Sequence, residues 1–245
     1  MQIYRDLENI PTFHNAVATM GSFDGLHSGH QELLRRVCSL AGERSGESVV
    51  LTFEPHPRYV LGTGERMQLI TSLEEKLLLL EQFGIDNVII IPFTTEFSQK
   101  SPQEFLADIA QWGIKCMVVG YNHRFGHKKE GDYNYLESRD EMEIYMVEQQ
   151  QVAQSKVSST IIRQAISLGM IEKATQLLAH PYIVVGTIQD DGTVTDVGPH
   201  KLLPPEGVYD VRIGDCTTTL TIASARGLSL PKDITPRGKA TIEII

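Results

Sequence analysis

Two histidines, His27 and His30, stand three residues apart inside the run Gly21-Ser-Phe-Asp-Gly-Leu-His-Ser-Gly-His30. At that spacing both imidazoles can face one ligand from nearly the same side of a helical turn. Gly25 and Gly29 have no side chains, so a phosphate could approach the backbone closely. Asp24-Gly25 marks a turn, and Ser28-x-x-Gln31 has the form of a capping box, which predicts a helix starting near Ser28. The start of such a helix presents unpaired N–H groups and the positive end of its dipole to an anion. Holding phosphate oxygens, and the charge that develops as a phosphate is transferred, is the chemistry these residues suit. The bland alternative is a tight glycine turn with two surface histidines. A two-histidine metal site is the weaker rival, since no third ligand lies nearby unless Asp24 or a distant residue supplies one.

Three further segments carry groups of the same kind. In Thr52-Phe-Glu-Pro-His-Pro-Arg58, Pro55 and Pro57 stiffen the loop around His56, beyond Phe53 and ahead of Arg58. Gly120-Tyr-Asn-His-Arg-Phe-Gly126 follows an apolar run, so His123 and Arg124 are placed to face an anionic acceptor. The cations that follow, His127, Lys128 and Lys129, read more simply as a solvated basic stretch. Ser158, Ser159 and Thr160 cap a helix, and Arg163 then points back from its first turn toward an anion such as a leaving pyrophosphate.

The elements that must position these groups are legible in outline. Strands are predicted at Ala16–Met20, Ser48–Phe53, Asn87–Pro92, Lys115–Gly120 and Glu143–Val147. The middle three are nearly continuous apolar runs, as strands covered on both faces should be. Helices begin at Ser28, Ser72 and Ser101, each with Gln or Glu three residues on, and Pro102 occupies a favoured first position. Short strands alternating with helices describe a parallel sheet covered by helices. From Tyr182 the text changes to brief β runs separated by turns (YIVVGTI, GVYDVRI, TTTLTIA, ATIEII), which read as a small antiparallel unit of the partial-barrel kind. Its 65 residues make a thin core, so it is expected to dock on the first domain or on another copy of the chain.

Composition narrows the class. The 245 residues are 41% hydrophobic with a formal net charge of -9, which disfavours a nucleic-acid partner. No apolar run reaches the roughly 18 residues of a membrane span, and the first residues lack a signal peptide's apolar core. The three cysteines are widely spaced, as reduced cytosolic thiols would be. A cytoplasmic protein without membrane association is expected.

The run Gly-x-Phe-Asp-Gly-x-His-x-Gly-His resembles the signature of nucleotidyltransferases that act on a phosphorylated acceptor. With Thr52–Arg58, Ile70–Lys76 with Pro92-Phe93 and Phe97, Val119–Gly126 and Val157–Arg163, it resembles the FAD synthetase module of bacterial bifunctional riboflavin kinase/FMN adenylyltransferases, over about residues 10 to 185. The resemblance implies a Rossmann-like parallel sheet of the HxGH nucleotidyltransferase type at 1–180, followed by a small β domain at 181–245. It implies transfer of AMP from ATP to FMN, with Mg2+ as cofactor and no dedicated protein metal site. The ATP side would comprise Gly21, Ser22, Phe23, Asp24, Gly25, His27, Gly29, His30, Ser158, Ser159, Thr160 and Arg163, with His27, His30 and Arg163 catalytic. The FMN side would comprise Phe53, Pro55, His56, Pro57, Arg58, Asn122, Arg124 and Phe125. Asn122 stands where many relatives carry Asp, and His123 where Phe is frequent. The kinase barrel's G-F-P-T-A-N segment is replaced by Gln189-Asp-Asp-Gly-Thr-Val-Thr-Asp-Val-Gly-Pro-His200, so riboflavin kinase activity is expected to be absent. The alternatives are another phosphorylated acceptor, such as pantetheine phosphate or nicotinamide mononucleotide, and a weakly catalytic paralogue that binds flavin or adenine nucleotide.

Overall fold

The computed structural model describes residues 1–139, 142–148, 151–152, 155–233 and 236–245. Strands β1 (Gln2–Tyr4), β2 (Val17–Met20), β3 (Ser48–Glu54), β4 (Asn87–Pro92), β5 (Cys116–Gly120) and β6 (Glu143–Val147) form one sheet in the order β1-β4-β3-β2-β5-β6. Every pairing in it is parallel. Helices α1 (Ser28–Glu43), α2 (Pro57–Val60), α3 (Leu73–Gln82), α4 (Thr95–Ser98), α5 (Pro102–Gln111) and α6 (Tyr133–Glu137) fall between and beside these strands. A two-stranded β7 (Gln151–Val152) and β8 (Ser155–Lys156), then α7 (Ser159–Ser167) and α8 (Ile171–Leu178), precede the last domain.

The sheet is buried on both faces, and the alternation along β2 shows how. Ala18 and Met20 point to the side where Phe105, Ile109 and Trp112, from α5 and its end, pack against Val49, Leu51, Ile89 and Ile91. Val17 points the other way, to Val37, Leu40 and Ala41 of α1 with Cys116 and Val118. That double burial is why the central strands read as unbroken apolar runs. The edge strand β1, absent from the sequence prediction, pairs Gln2, Ile3 and Tyr4 with Asn87, Val88 and Ile89. Three residues are too few for a strand pattern to show.

The C-terminal strands β9 (Tyr182–Ile188), β10 (Thr193–Thr195), β11 (Gly207–Ile213), β12 (Cys216–Ile222), β13 (Leu228–Ser229) and β14 (Gly238–Ile244) close into a barrel in the order β10-β13-β12-β11-β14-β9. The expectation of a partial barrel is corrected: closure comes from the short β10 and β13, which bridge β9 to β12. Its interior is filled by Val184, Val211, Leu220, Ile242 and Ile244, in one core with Ile162, Ile166 and Leu178 of α7 and α8.

By contact the chain forms two compact units interleaved along the sequence. One comprises Met1–Phe23, Gly29–Arg66 and Leu80–Gln149; the other comprises Asp24–Ser28, Met67–Leu79 and Gln150–Ile245. Among the described residues no helix is long and apolar enough to cross a membrane.

Two capping boxes form as predicted. Ser101 accepts from the Glu104 N–H while Glu104 reaches back to the Ser101 N–H. Ser72 and Glu75 do the same ahead of α3. Ser28 differs, since it is the first residue inside α1 and its buried hydroxyl has no hydrogen-bond partner among the described residues.

Candidate active site

In the unit that holds Asp24–Ser28, the predicted ATP-side residues are tied together by one carboxylate. Asp24 is buried, and its Oδ1 accepts from the Thr71 N–H at 3.0 Å. Its Oδ2 accepts from the Arg163 guanidinium at 2.7 Å. The Asp24 carbonyl accepts from the Ser159 hydroxyl at 2.9 Å, and the Gly25 N–H donates to Thr71 Oγ1 at 3.0 Å. Ser158 caps α7, its hydroxyl accepting from the Ile161 N–H, while Thr160 faces solvent. Arg163 therefore spends one terminal nitrogen on Asp24 rather than facing open space, while its buried Nε has no partner among the described residues.

Backbone geometry sets the shape of this turn. Gly25 has φ +89°, and a Cβ there would lie 3.0 Å from Ile70 Cγ2. Both the left-handed backbone and the close approach require glycine. Leu26, at φ 38°, is held in the same unfavourable region and is buried. Burial lowers the His27 imidazole to about 4, and the charge of His180 lowers it further while Asp24 opposes the shift. At neutral pH His27 is thus a neutral hydrogen-bonding group. Thr71 and His180, whose Nε2 lies 2.9 Å from the Gly25 carbonyl, were missed in the sequence. They lie 46 and 155 residues from Gly25, and nothing local marks the pairing.

In the other unit, the carboxyl ends of β2, β3, β4 and β5 open on a cavity of about 670 Å³. Gly21, Ser22, Phe53, Pro57, Arg124 and Phe125, all predicted, line it. Pro55, His56, Arg58 and Asn122 do not. His56 instead caps α2, its Nδ1 accepting from the Arg58 N–H at 3.2 Å, and the Arg58 guanidinium donates to the Thr63 carbonyl. Asn122 is exposed. Arg124 pairs with Asp132, which holds that carboxyl below the usual range together with the Tyr135 N–H that it caps. His127, Lys128 and Lys129 also line the cavity, and both lysines are exposed, as in a solvated basic stretch. In this unit the His30 ring meets Phe23 edge to face, with centroids 5.2 Å apart.

The cavity wall is aromatic. Phe53, Phe93 and Phe97 contact one another with centroids 5.5 to 6.0 Å apart, and Phe97 continues to Phe105 and Phe125. His123 stacks on Phe125 at 5.7 Å, and burial lowers its imidazole to about 4. Phe93, Phe97 and Phe105 were not predicted as site residues. Phenylalanines in apolar surroundings read as core, and only their convergence on one opening distinguishes them.

A parallel sheet whose strands open on a cavity at their carboxyl ends, and a glycine turn leading into a helix, define an α/β protein of the Rossmann-like class. Within that class the chain belongs to the FAD synthetase family, whose sequence model matches residues 9–161. It is 35% identical over 214 residues to a bifunctional riboflavin kinase/FMN adenylyltransferase of Listeria monocytogenes, covering 81% of this chain and 68% of that one. It is 31% identical over 221 residues to an FAD synthetase of the same species, covering 87% and 88%. The bifunctional protein of Escherichia coli K12 is 29% identical over 229 residues, covering 87% and 73%. A solved structure titled as a macrolide-efflux protein, from Streptococcus pneumoniae, shares the fold, with a TM-score of 0.83 at 24% identity over 99% of this chain and 88% of that one.

Proposed function

We propose that this chain transfers the adenylyl group of ATP to FMN, giving FAD and pyrophosphate. The observation that carries the reading is the match of the FAD synthetase family over 9–161, a span that includes both the Gly21–His30 turn and every aromatic wall of the cavity. The turn is assigned to the ATP phosphates, with Gly21 to Gly25, His27, Gly29, His30, Ser158 to Thr160 and Arg163. The aromatic cavity is assigned to the flavin, whose apolar ring system suits phenylalanine walls. Lys128 and Lys129 are suited to its anionic end.

An oxygen of the FMN phosphate attacks the α-phosphorus of ATP in line, the bond to the β-phosphate oxygen breaks, and pyrophosphate leaves. A phosphate whose second pKa lies near 6 is already ionised at neutral pH, so no general base is assigned. The protein's part is positioning and charge stabilisation. His27 acts as a neutral donor rather than a cation, and Arg163 supplies the guanidinium for the leaving group. The described residues contain no group of three or more His, Cys, Asp or Glu side chains that could hold a metal. Mg2+, which commonly keeps its waters and binds through substrate phosphates, would be held by the phosphates of the nucleotide and would offset their charge.

Residues 1–180 are assigned the adenylyl transfer and 181–245 a barrel without riboflavin kinase activity, serving packing or self-association. The protein is placed in the cytoplasm, with no nucleic-acid partner. The decisive experiment offers purified protein ATP, Mg2+ and either FMN or riboflavin. Pyrophosphate with FAD from FMN, and no FMN from riboflavin, is expected; pyrophosphate with another phosphorylated acceptor and none with FMN would overturn the choice of substrate.

A further inference from the structure

His180 lies at the junction of α8 and β9, and both of its ring nitrogens face carbonyl oxygens. Nδ1 is 2.7 Å from the Pro181 carbonyl and Nε2 is 2.9 Å from the Gly25 carbonyl. A carbonyl oxygen only accepts, and a neutral imidazole carries one N–H and one bare lone pair. In either neutral tautomer one of these contacts would set a nitrogen lone pair against an oxygen. Both contacts are hydrogen bonds only when both nitrogens carry hydrogen. We propose that His180 is held as an imidazolium that fixes the Gly25 carbonyl, and so acts as a positioning residue for the phosphate-binding turn.

The surrounding groups are consistent with one charge at this point. From the turn, His27 faces His180, and the two charges oppose one another; burial keeps His27 neutral, so the conflict does not arise. Asp24 bears on the same His27 ring with the opposite sign and is itself occupied by Thr71 and by Arg163 of α7. On the strand that His180 leads into, Tyr182 packs its ring over Lys201, whose ammonium is closed on Glu75. Arg163 is the cation at the Asp24 carboxylate, and His180 is the group at the Gly25 carbonyl. Gly25 has no side chain through which to anchor itself, and its left-handed backbone must be held by its own amide groups. Thr71 takes the N–H, and His180 takes the carbonyl.

The inference rests on the adenylyltransferase reading only for its kinetic consequence, and the first test is independent of it. In full-length protein labelled with 15N, long-range correlations report whether each ring nitrogen of His180 carries a proton. Signals are assigned by their loss in His180→Arg and in His180→Gln. Two protonated nitrogens at pH 7 are expected; a bare nitrogen there would overturn the proposal. The second test compares FAD formation from pH 6 to 9. In the wild type the KM for ATP should rise on the order of ten-fold as the ring loses its proton, the effect of losing one charge-assisted hydrogen bond. His180→Arg, which donates twice and stays charged, should vary by no more than about two-fold over the same range. A wild-type pH profile in His180→Arg would overturn the proposal. Absence of FAD formation at every pH would sink the substrate assignment and leave the ring's protonation as the deciding result.

Discussion

Asp24 and Gly25 organise the turn in different ways, one by its charge and the other by having no side chain. Gly25→Ala would have to adopt φ +89° with a Cβ 3.0 Å from Ile70. A cost of about 2 kcal/mol is expected, seen as a fall in Tm of about 4–8 °C by calorimetry, with loss of turnover. Arg163→Ala leaves Asp24 buried opposite Thr71 alone, so it should weaken ATP binding and lower turnover together. His30→Ala should lower turnover more than ATP affinity. Unchanged steady-state kinetics in either variant would remove that residue from the site. His27 also gives a pH signature. Its folded form protonates only near pH 4, whereas the unfolded chain takes the proton near 6.5. Between those values the unfolded state binds more protons, so stability is lost as the pH falls, by up to about 3 kcal/mol. Urea titrations at pH 7, 5.5 and 4.5 should show this slope, and His27→Asn should remove its share and leave that of His123. The residues of the turn were legible because glycine, aspartate and histidine stand together in one run. Two of their partners were not, because Thr71 and His180 are ordinary residues far along the chain, and only folding pairs them with the turn.

Elements show the same division. Strands Asn87–Pro92 and Glu143–Val147 and the Ser101 capping box were read at their true bounds, because long apolar runs and capping pairs are local signals. The short β1, β10 and β13 carry no such signal and exist through their partners. The first turn of α3 illustrates what a local reading omits. Glu75 closes the capping box with Ser72, accepts from the Val185 N–H at 2.9 Å and pairs with Lys201 at 2.8 Å. Both charged groups are fully buried, and desolvation lowers the Lys201 ammonium while Glu75 raises it. Lys201→Met would leave the Glu75 charge uncompensated and should cost about 3–5 kcal/mol. Glu75→Gln combined with Lys201→Met should recover part of that loss. A double-mutant cycle in guanidinium measures the coupling, and additive effects would show that the pair is not coupled.

At the scale of the molecule, the sheet carries the aromatic cavity and the barrel is a closed body with its own core. The barrel closes with Gln189–His200 standing where the resemblance places the G-F-P-T-A-N segment. Riboflavin offered with ATP should therefore give no FMN even though the barrel is folded, as chromatography of the flavins would reveal. Appearance of FMN would restore a kinase to this chain by residues other than that segment. The sheet was legible as a whole because α/β alternation is a long-range pattern written in local runs. The barrel's completeness was not, since two of its six strands span only two or three residues.

The interleaving of the two units also orders events in time. Asp24–Ser28 is synthesised early, yet it belongs to the unit completed by residues from Gln150 onward. The Ser159 hydroxyl that meets the Asp24 carbonyl comes 135 residues later. At the usual pace of translation that interval is roughly ten seconds. Throughout it the emerging sheet can assemble, while the turn can meet Thr71 and not yet Ser159, Arg163 or His180. A chain halted before α7 would thus keep the aromatic cavity's walls and lack the Ser159, Arg163 and His180 contacts of the turn, so the complete turn can arise only late in synthesis.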